Sequence, residues 1–153
     1  VKITDFLSVD TVIPNLNSRD KNAVLQELAE GLTVQHRGLE PKQVLDVLLA
    51  RERISTTAIG EGVAIPHGKL ANVDRVLGVF ARSREGVDFA SLDGAPTHLF
   101  FMLIAPENAA ADHLKALARI SRLLKDEAFR DRLLAGKSRQ ELYALIVDED
   151  EKF

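Results

Sequence analysis

The sequence has 153 residues, 46% of them hydrophobic and 28% charged, which suits one compact domain over residues 1–153 and excludes a disordered chain. There are 20 basic against 23 acidic side chains, a net charge of −3, so no basic excess exists to drive non-specific nucleic-acid binding through phosphate contacts. No cysteine is present, which removes disulfides, thiolate nucleophiles and thiolate metal sites. The segment Val1-Lys2-Ile3-Thr4-Asp5-Phe6 carries no long apolar stretch of the secretory kind. No apolar run approaches the roughly 20 residues that a membrane span needs, so no membrane insertion and a cytoplasmic location are expected.

Taken in chain order, the first expected helix starts near Ser18. Val24, Leu25, Leu28 and Leu32 fall on one face at helical spacing, and Gly38 is its expected terminator because glycine enters the left-handed C-cap conformation readily. Pro41 opens a second helix, at a position where its missing N–H costs nothing. That helix buries Val44, Leu45, Leu48 and Leu49 and is expected to stop near Arg51 to Arg53. Residues 55–68 read Ser-Thr-Thr-Ala-Ile-Gly-Glu-Gly-Val-Ala-Ile-Pro-His-Gly, with glycines at 60, 62 and 68. Short strands and turns suit this stretch, not a long helix. Residues 75–81 and 98–105 predict strands, the second so apolar that it suits a central strand covered on both faces. Helical spacing returns with Leu114, Leu117, Ile120 and Leu124, then Phe129, Leu133 and Leu134, then Leu142, Ala144 and Leu145. The acidic run Asp148-Glu149-Asp150-Glu151 is expected to be a solvated tail. Helices, then strands, then helices imply an α/β fold on one sheet flanked by helices.

Among the four histidines, His67 has the most distinctive setting. Pro66 fixes its own φ and restricts Ile65, and Gly68 lets another molecule approach the backbone. A strand-like Val63-Ala64-Ile65 would anchor the segment and present the imidazole at a strand end. Neutral imidazole is a good nucleophile near neutral pH because its ordinary pKa is about 6.5. A turn histidine bonded only locally is the competing reading. Arg51 lies sixteen positions earlier, where a planar guanidinium fork suits phosphoryl oxygens and also suits the negative end of a helix dipole. Arg53 has the same two readings. His113 follows Pro106-Glu107-Asn108 in the first turn of a helix, a place that favours anions. The alternative for it is a core-edge histidine. His36 and His98 read as structural, and Ser55, Thr56 and Thr57 as turn formers or as partners of a phosphate or of His67. The nucleotide loop Gly-x-x-x-x-Gly-Lys-Ser/Thr, the Gly-x-Gly-x-x-Gly fingerprint, the His-Glu-x-x-His zinc pair and the Gly-x-Ser-x-Gly elbow do not occur in the sequence.

The stretch from Arg51 to Lys69, with its Arg-Glu, Gly-x-Gly and Ile-Pro-His-Gly elements, closely resembles the signature of the EIIA family of the fructose, mannitol and nitrogen phosphotransferase systems. The resemblance covers essentially the whole chain. It extends to Asp112-His113-Leu114 with Leu117 and Ile120, and to Glu141-Leu142-Tyr143. It implies a mixed β-sheet flanked by helices, with His67 as the phosphorylated residue and Arg51 and His113 lining the same pocket. It implies an HPr-like phosphocarrier protein as donor and a direct transfer between histidines that needs no metal or nucleotide cofactor. Gly68-Lys69-Leu70 and the absence of fused transport domains look like the nitrogen-regulatory branch, whose protein targets include potassium transport and sensor kinases. A sugar-specific EIIA that feeds a transporter EIIB is the alternative within the family.

Overall fold

The computed structural model describes residues 1–152. Two 3-10 turns, Ile3–Asp5 and Val9–Thr11, lead into β1 (Val12–Ile13). Helices α1 (Lys21–Thr33) and α2 (Pro41–Ile54) follow, then the strands β2 (Ala58–Gly60), β3 (Val63–Ala64), β4 (His67–Leu70), β5 (Leu77–Val87) and β6 (Thr97–Pro106). Helices α3 (Ala110–Leu124), α4 (Glu127–Ala135) and α5 (Arg139–Asp150) complete the chain. The sheet runs β1-β5-β6-β3-β2, and β4 also pairs with β6. It is mixed: β5 and β6 are antiparallel, while β3 and β4 both run parallel to β6.

Strand alternation explains the layering, because successive side chains on a strand point to opposite faces. Phe80, Leu99, Phe101, Leu103 and Ala105 face a core built with Ala116, Ile120, Leu123, Phe129, Leu133, Leu142 and Ile146 of α3, α4 and α5. Val79, Ala81, Phe100, Met102 and Ile104 face Val24, Leu25, Leu28, Val44 and Leu48 of α1 and α2. Strand β6 therefore has helices on both sides, which is why residues 99–105 are apolar without interruption.

Local chemistry sets the helix ends. The first helix starts at Lys21, not near Ser18, because Asp20 is its N-cap and accepts a hydrogen bond from the Ala23 N–H at 2.9 Å. Ser18 is engaged elsewhere, with its hydroxyl donating to Glu27 at 2.8 Å. The helix stops at Thr33, before Gly38, since Leu32 is the last of its buried apolar residues and Val34 is exposed. Gly38 serves the following turn, at φ +96°. Pro41 opens α2 as expected, and the helix runs to Ile54, one residue beyond the expected end.

The acidic end is not a solvated tail. Helix α5 carries Glu149 and Asp150 into buried positions, and only Asp148 and Glu151 of the run are exposed. The Asp150 carboxylate pairs with Arg119 of α3 and accepts the Ile3 N–H at 2.9 Å. Glu149 pairs with Arg132 at 2.9 Å and Lys152 at 3.0 Å, and the Lys152 hydrogen bond leads the influences that hold its carboxyl below the usual range. The acids have partners waiting at the end of α5, and that pairing removes the reason for them to stay in water.

Asp150→Ala strands Arg119 and the Ile3 N–H together. Breaking a buried pair on one side costs about 3–5 kcal/mol, and the 20% side-chain exposure of Arg119 puts the expected loss at the lower end. Thermal unfolding is expected to show a fall in Tm of roughly 6–12 °C. A change below about 2 °C contradicts the clamp.

Candidate functional site

The site forms where one strand gives way to another along β6. Val63 and Ala64 pair with Leu99 and Phe100, and after a break His67 to Leu70 pair with Leu103 to Pro106. Pro66 sits in the break, its carbonyl accepting the Leu103 N–H at 3.0 Å. His67 thus opens β4; it does not close the preceding strand, as the sequence suggested. Alternation along β4 sends His67 and Lys69 to the α3 face and Gly68 to the α2 face. A Cβ on Gly68 would lie 2.8 Å from Val47 Cγ2, closer than packed atoms tolerate. The missing side chain is what lets α2 lie against β4 and bring its last turn, with Arg51, beside His67.

Arg51, His67 and His113, together with Lys69, line one open pocket of about 540 Å³. The rings of His67 and His113 meet edge to face, with centroids 5.4 Å apart and planes at 75°. His67 Nδ1 lies 2.8 Å from the Ile65 carbonyl oxygen. A carbonyl only accepts, so this bond puts the ring proton on Nδ1 and the lone pair on Nε2. His113 is 6% exposed, and its buried Nε2 has no hydrogen-bond partner. Such an atom carries a desolvation penalty of about 1–3 kcal/mol until a partner arrives. The His113 backbone N–H already bonds the Ala109 carbonyl at 3.0 Å, so its side chain, not its amide, is what it offers the pocket. Arg51 donates from Nη1 to the Ser55 carbonyl at 2.8 Å, which holds the guanidinium at the end of α2.

Electrostatics favour neutral imidazoles here. Burial, above all, lowers the His67 pKa; the Ile65 hydrogen bond and the Glu52 charge oppose this, while Arg51 and Lys69 add to it. For His113, burial again leads, followed by His67 and Lys69. The pocket lining carries two cations and no acidic side chain. Its rim is apolar, with Ile54 80% and Leu114 68% exposed. The arrangement can attack an electrophile from Nε2, neutralise an anion beside it, and seat another macromolecule around it.

The other hydroxyl and histidine candidates serve the scaffold. Thr56 Oγ1 donates to the Phe89 carbonyl at 3.0 Å, and the Thr57 N–H and hydroxyl both bond the Glu52 carboxylate. His98 Nδ1 lies 2.9 Å from the Ser83 carbonyl oxygen, and His36 lies in the turn after α1. Arg53 is exposed and does not line the pocket. Sequence reasoning gave no role to Lys69 or Glu52. Lys69 had a usable signal, since residues two apart on a strand share a face. Glu52 had one only as part of the Arg-Glu element, because its partners come from a different helix and a following loop. Among the described residues, no group of three or more His, Cys, Asp or Glu is placed to hold a metal ion, and no helix is long and apolar enough to cross a membrane.

Comparison with known proteins gives this pocket its context. The family described as phosphoenolpyruvate-dependent sugar phosphotransferase system, EIIA 2, matches residues 5–149. The chain is 46% identical to a nitrogen regulatory protein of Bradyrhizobium diazoefficiens, over 95% of this chain and 94% of that protein. It is 40% identical to the fructose-specific EIIABC component of Bacillus subtilis, over 98% of this chain but only 24% of that larger protein. The crystal structure of the nitrogen regulatory protein IIA-Ntr from Neisseria meningitidis superposes with a TM-score of 0.88 at 33% identity, covering 94% of this chain and 98% of that one. With a mixed sheet flanked by five helices and a family match across nearly its whole length, the chain belongs to the EIIA 2 family of the phosphoenolpyruvate-dependent sugar phosphotransferase system.

Proposed function

We propose that the chain is a histidine phosphocarrier of the nitrogen-regulatory type, and that His67 Nε2 accepts the phosphoryl group from the phosphohistidine of an HPr-like carrier protein. The observation that carries this reading is His67 with Nδ1 tied to Ile65, set beside the unpartnered Nε2 of His113 in a pocket whose only charged side chains are Arg51 and Lys69. In the transfer, the Nε2 lone pair attacks phosphorus in line and forms the new P–N bond. The P–N bond to the donor breaks, and the donor nitrogen keeps its electron pair. The Ile65 carbonyl holds the Nδ1 proton throughout, which supports the positive charge that develops on the His67 ring. Arg51 and the Nε2–H of His113 neutralise the equatorial oxygens, the term that dominates phosphoryl transfer. A phosphoryl group on His67 also gives His113 the acceptor it lacks.

The exposed Ile54 and Leu114 on the rim suit a protein donor, because aliphatic anchors around a polar centre are what a macromolecular contact buries. The nitrogen-regulatory reading is supported by near full-length similarity to nitrogen regulatory proteins. Its output would be contact with regulatory targets such as potassium transport proteins or sensor kinases. Similarity to part of a fructose-specific EIIABC favours a second reading, in which the same phosphoryl group goes on to a transporter EIIB. The two share the uptake step and differ in the acceptor. Incubating the phosphorylated chain with fructose-type EIIB tests the difference: label stays on the chain under the first reading and moves to EIIB under the second.

The roles separate by mutation. His67→Ala is expected to take up no phosphoryl group while staying folded. Arg51→Ala and His113→Ala are expected to label His67 about 10²–10³ times more slowly, the usual effect of removing a preorganised charge-stabilising contact. Time courses with excess phosphorylated carrier, followed by peptide mapping, check this. Unslowed uptake in both alanine variants contradicts the assignment.

The pH dependence follows from the direction of the His67 shift. Its pKa lies below the ordinary imidazole value of about 6.5, chiefly through burial. Uptake from pre-phosphorylated carrier therefore stays level as pH falls towards that value and declines only below it, when Nε2 becomes protonated. Arg51→Ala removes a lowering influence, so the inflection should move up in pH. Arg51→Lys keeps the charge and should leave the inflection in place while slowing transfer, because an ammonium lacks the planar fork. Single-turnover rates across pH decide it, and an inflection that moves down in Arg51→Ala runs against the account.

A further inference from the structure

Glu52 stands between Arg51 and Arg53 on the last turn of α2, yet its side chain is only 4% exposed. Its carboxylate meets three groups: the Thr57 N–H at 3.1 Å, the Thr57 hydroxyl, and Lys21 Nζ of α1 at 2.9 Å. Lys21 in turn lies 4.9 Å from the centre of the Phe89 ring, a cation–π contact that holds it inward. The Thr57 carbonyl accepts the Ile65 N–H at 3.1 Å. The Ile65 carbonyl accepts from His67 Nδ1 at 2.8 Å. The connections thus run from a nearly buried carboxylate, through two residues of backbone, to the ring nitrogen opposite the one that reacts.

We propose that Glu52 is a positioning residue for His67, which it holds in its Nδ1–H form through Thr57 and Ile65. The inference rests on the reading of His67 as the phosphoryl acceptor. Each step is a donor paired with an acceptor, so the placement of the loop is set residue by residue from the carboxylate outwards. A carboxylate can only accept, which fixes the orientation of the Thr57 amide. The Thr57 carbonyl fixes Ile65 by meeting its N–H. Ile65 then presents a carbonyl that only a protonated Nδ1 can satisfy. The N–H and the carbonyl of one residue belong to different peptide groups, so what passes along the series is position: a well-placed Ile65 carbonyl keeps the proton on Nδ1 and the lone pair on Nε2. Glu52 also offsets part of the effect of the cations around His67: it favours a charged ring, whereas Arg51, Lys69 and burial oppose one. His113 is the remaining titratable group that faces His67, from α3. Lys21 pairs the Glu52 carboxylate at 4% exposure, where an unpartnered charge would be costly.

A merely structural Glu52 would lock the loop after α2 and do nothing else. The two roles separate on the ring itself. ¹⁵N spectra of histidine-labelled protein report which nitrogen of His67 carries the proton, without any donor present. The wild type is expected to show the Nδ1–H form as the dominant neutral tautomer. Glu52→Ala should bring His67 to a mixture of tautomers and slow phosphoryl uptake by about 10- to 100-fold, the effect typical of removing a partner behind a working imidazole. Glu52→Gln is nearly isosteric and keeps an acceptor for Thr57, so it tests the charge in a folded protein. It should retain more of the Nδ1–H form than the alanine variant and shift the His67 titration down in pH. An Nε2–H ring in the wild type overturns the proposal. So does an unchanged titration in Glu52→Gln, or a tautomer change in Glu52→Ala that leaves the uptake rate as it was. If the tautomers respond as described but the wild type accepts no phosphoryl group, the connection stands and the acceptor reading falls.

Discussion

The site depends on one carbonyl, that of Ile65. It is free to bond the His67 ring because the chain changes strands at Pro66. Proline has no N–H for a ladder, and β3 ends one residue before Ile65. The Ile65 N–H reaches across to Thr57, its carbonyl turns to Nδ1, and the Pro66 carbonyl resumes pairing with β6 through Leu103. In a regular strand through residues 63–70 the Ile65 carbonyl would point to the same side as its N–H, towards Thr57 and away from the His67 ring. His67 would then have lost the bond that fixes its tautomer.

Two contacts bring the rest of the pocket to that ring. Gly68 lets α2 approach β4 to a distance that a Cβ would forbid, which carries Arg51 to one side of His67. On the other side, Ala116 and Ile120 of α3 lie in the core with Leu103 and Ala105, and this seating brings His113 within 5.4 Å of His67, centroid to centroid. The burial that keeps both imidazoles neutral comes from the same packing. Stability and chemistry are therefore coupled. The Asp150 clamp holds Arg119 two turns further along the helix that bears His113, and it ties that helix to the first residues of the chain.

The sequence made local features readable. Pro41 marked a helix start, residues 98–105 announced a covered central strand, and Pro66-His67-Gly68 announced a stiff mount. Each depends on residues adjacent in the chain. Long-range pairing was not legible. The acids at 149 and 150 resembled a frayed end because Arg119 and Arg132, which draw them inward, lie elsewhere in the sequence. Glu52 stood in the sequence only as half of the Arg-Glu element, and only the fold sets Lys21 and Thr57 against it. The assignment of His67 to a strand end also erred locally: β4 is short and opens on the histidine itself, and its pairing with Leu103 is a tertiary fact.

The central claim is that Nε2 of His67 bears the phosphoryl group, since Nδ1 is committed to Ile65. It is tested most directly by ³¹P and ¹⁵N NMR on histidine-labelled protein after incubation with phosphoenolpyruvate, Enzyme I and the HPr-like carrier. The account predicts a single phosphohistidine at His67, phosphorylated on Nε2 with the proton retained on Nδ1. A phosphoryl group on Nδ1 of His67, or on His113, would contradict it.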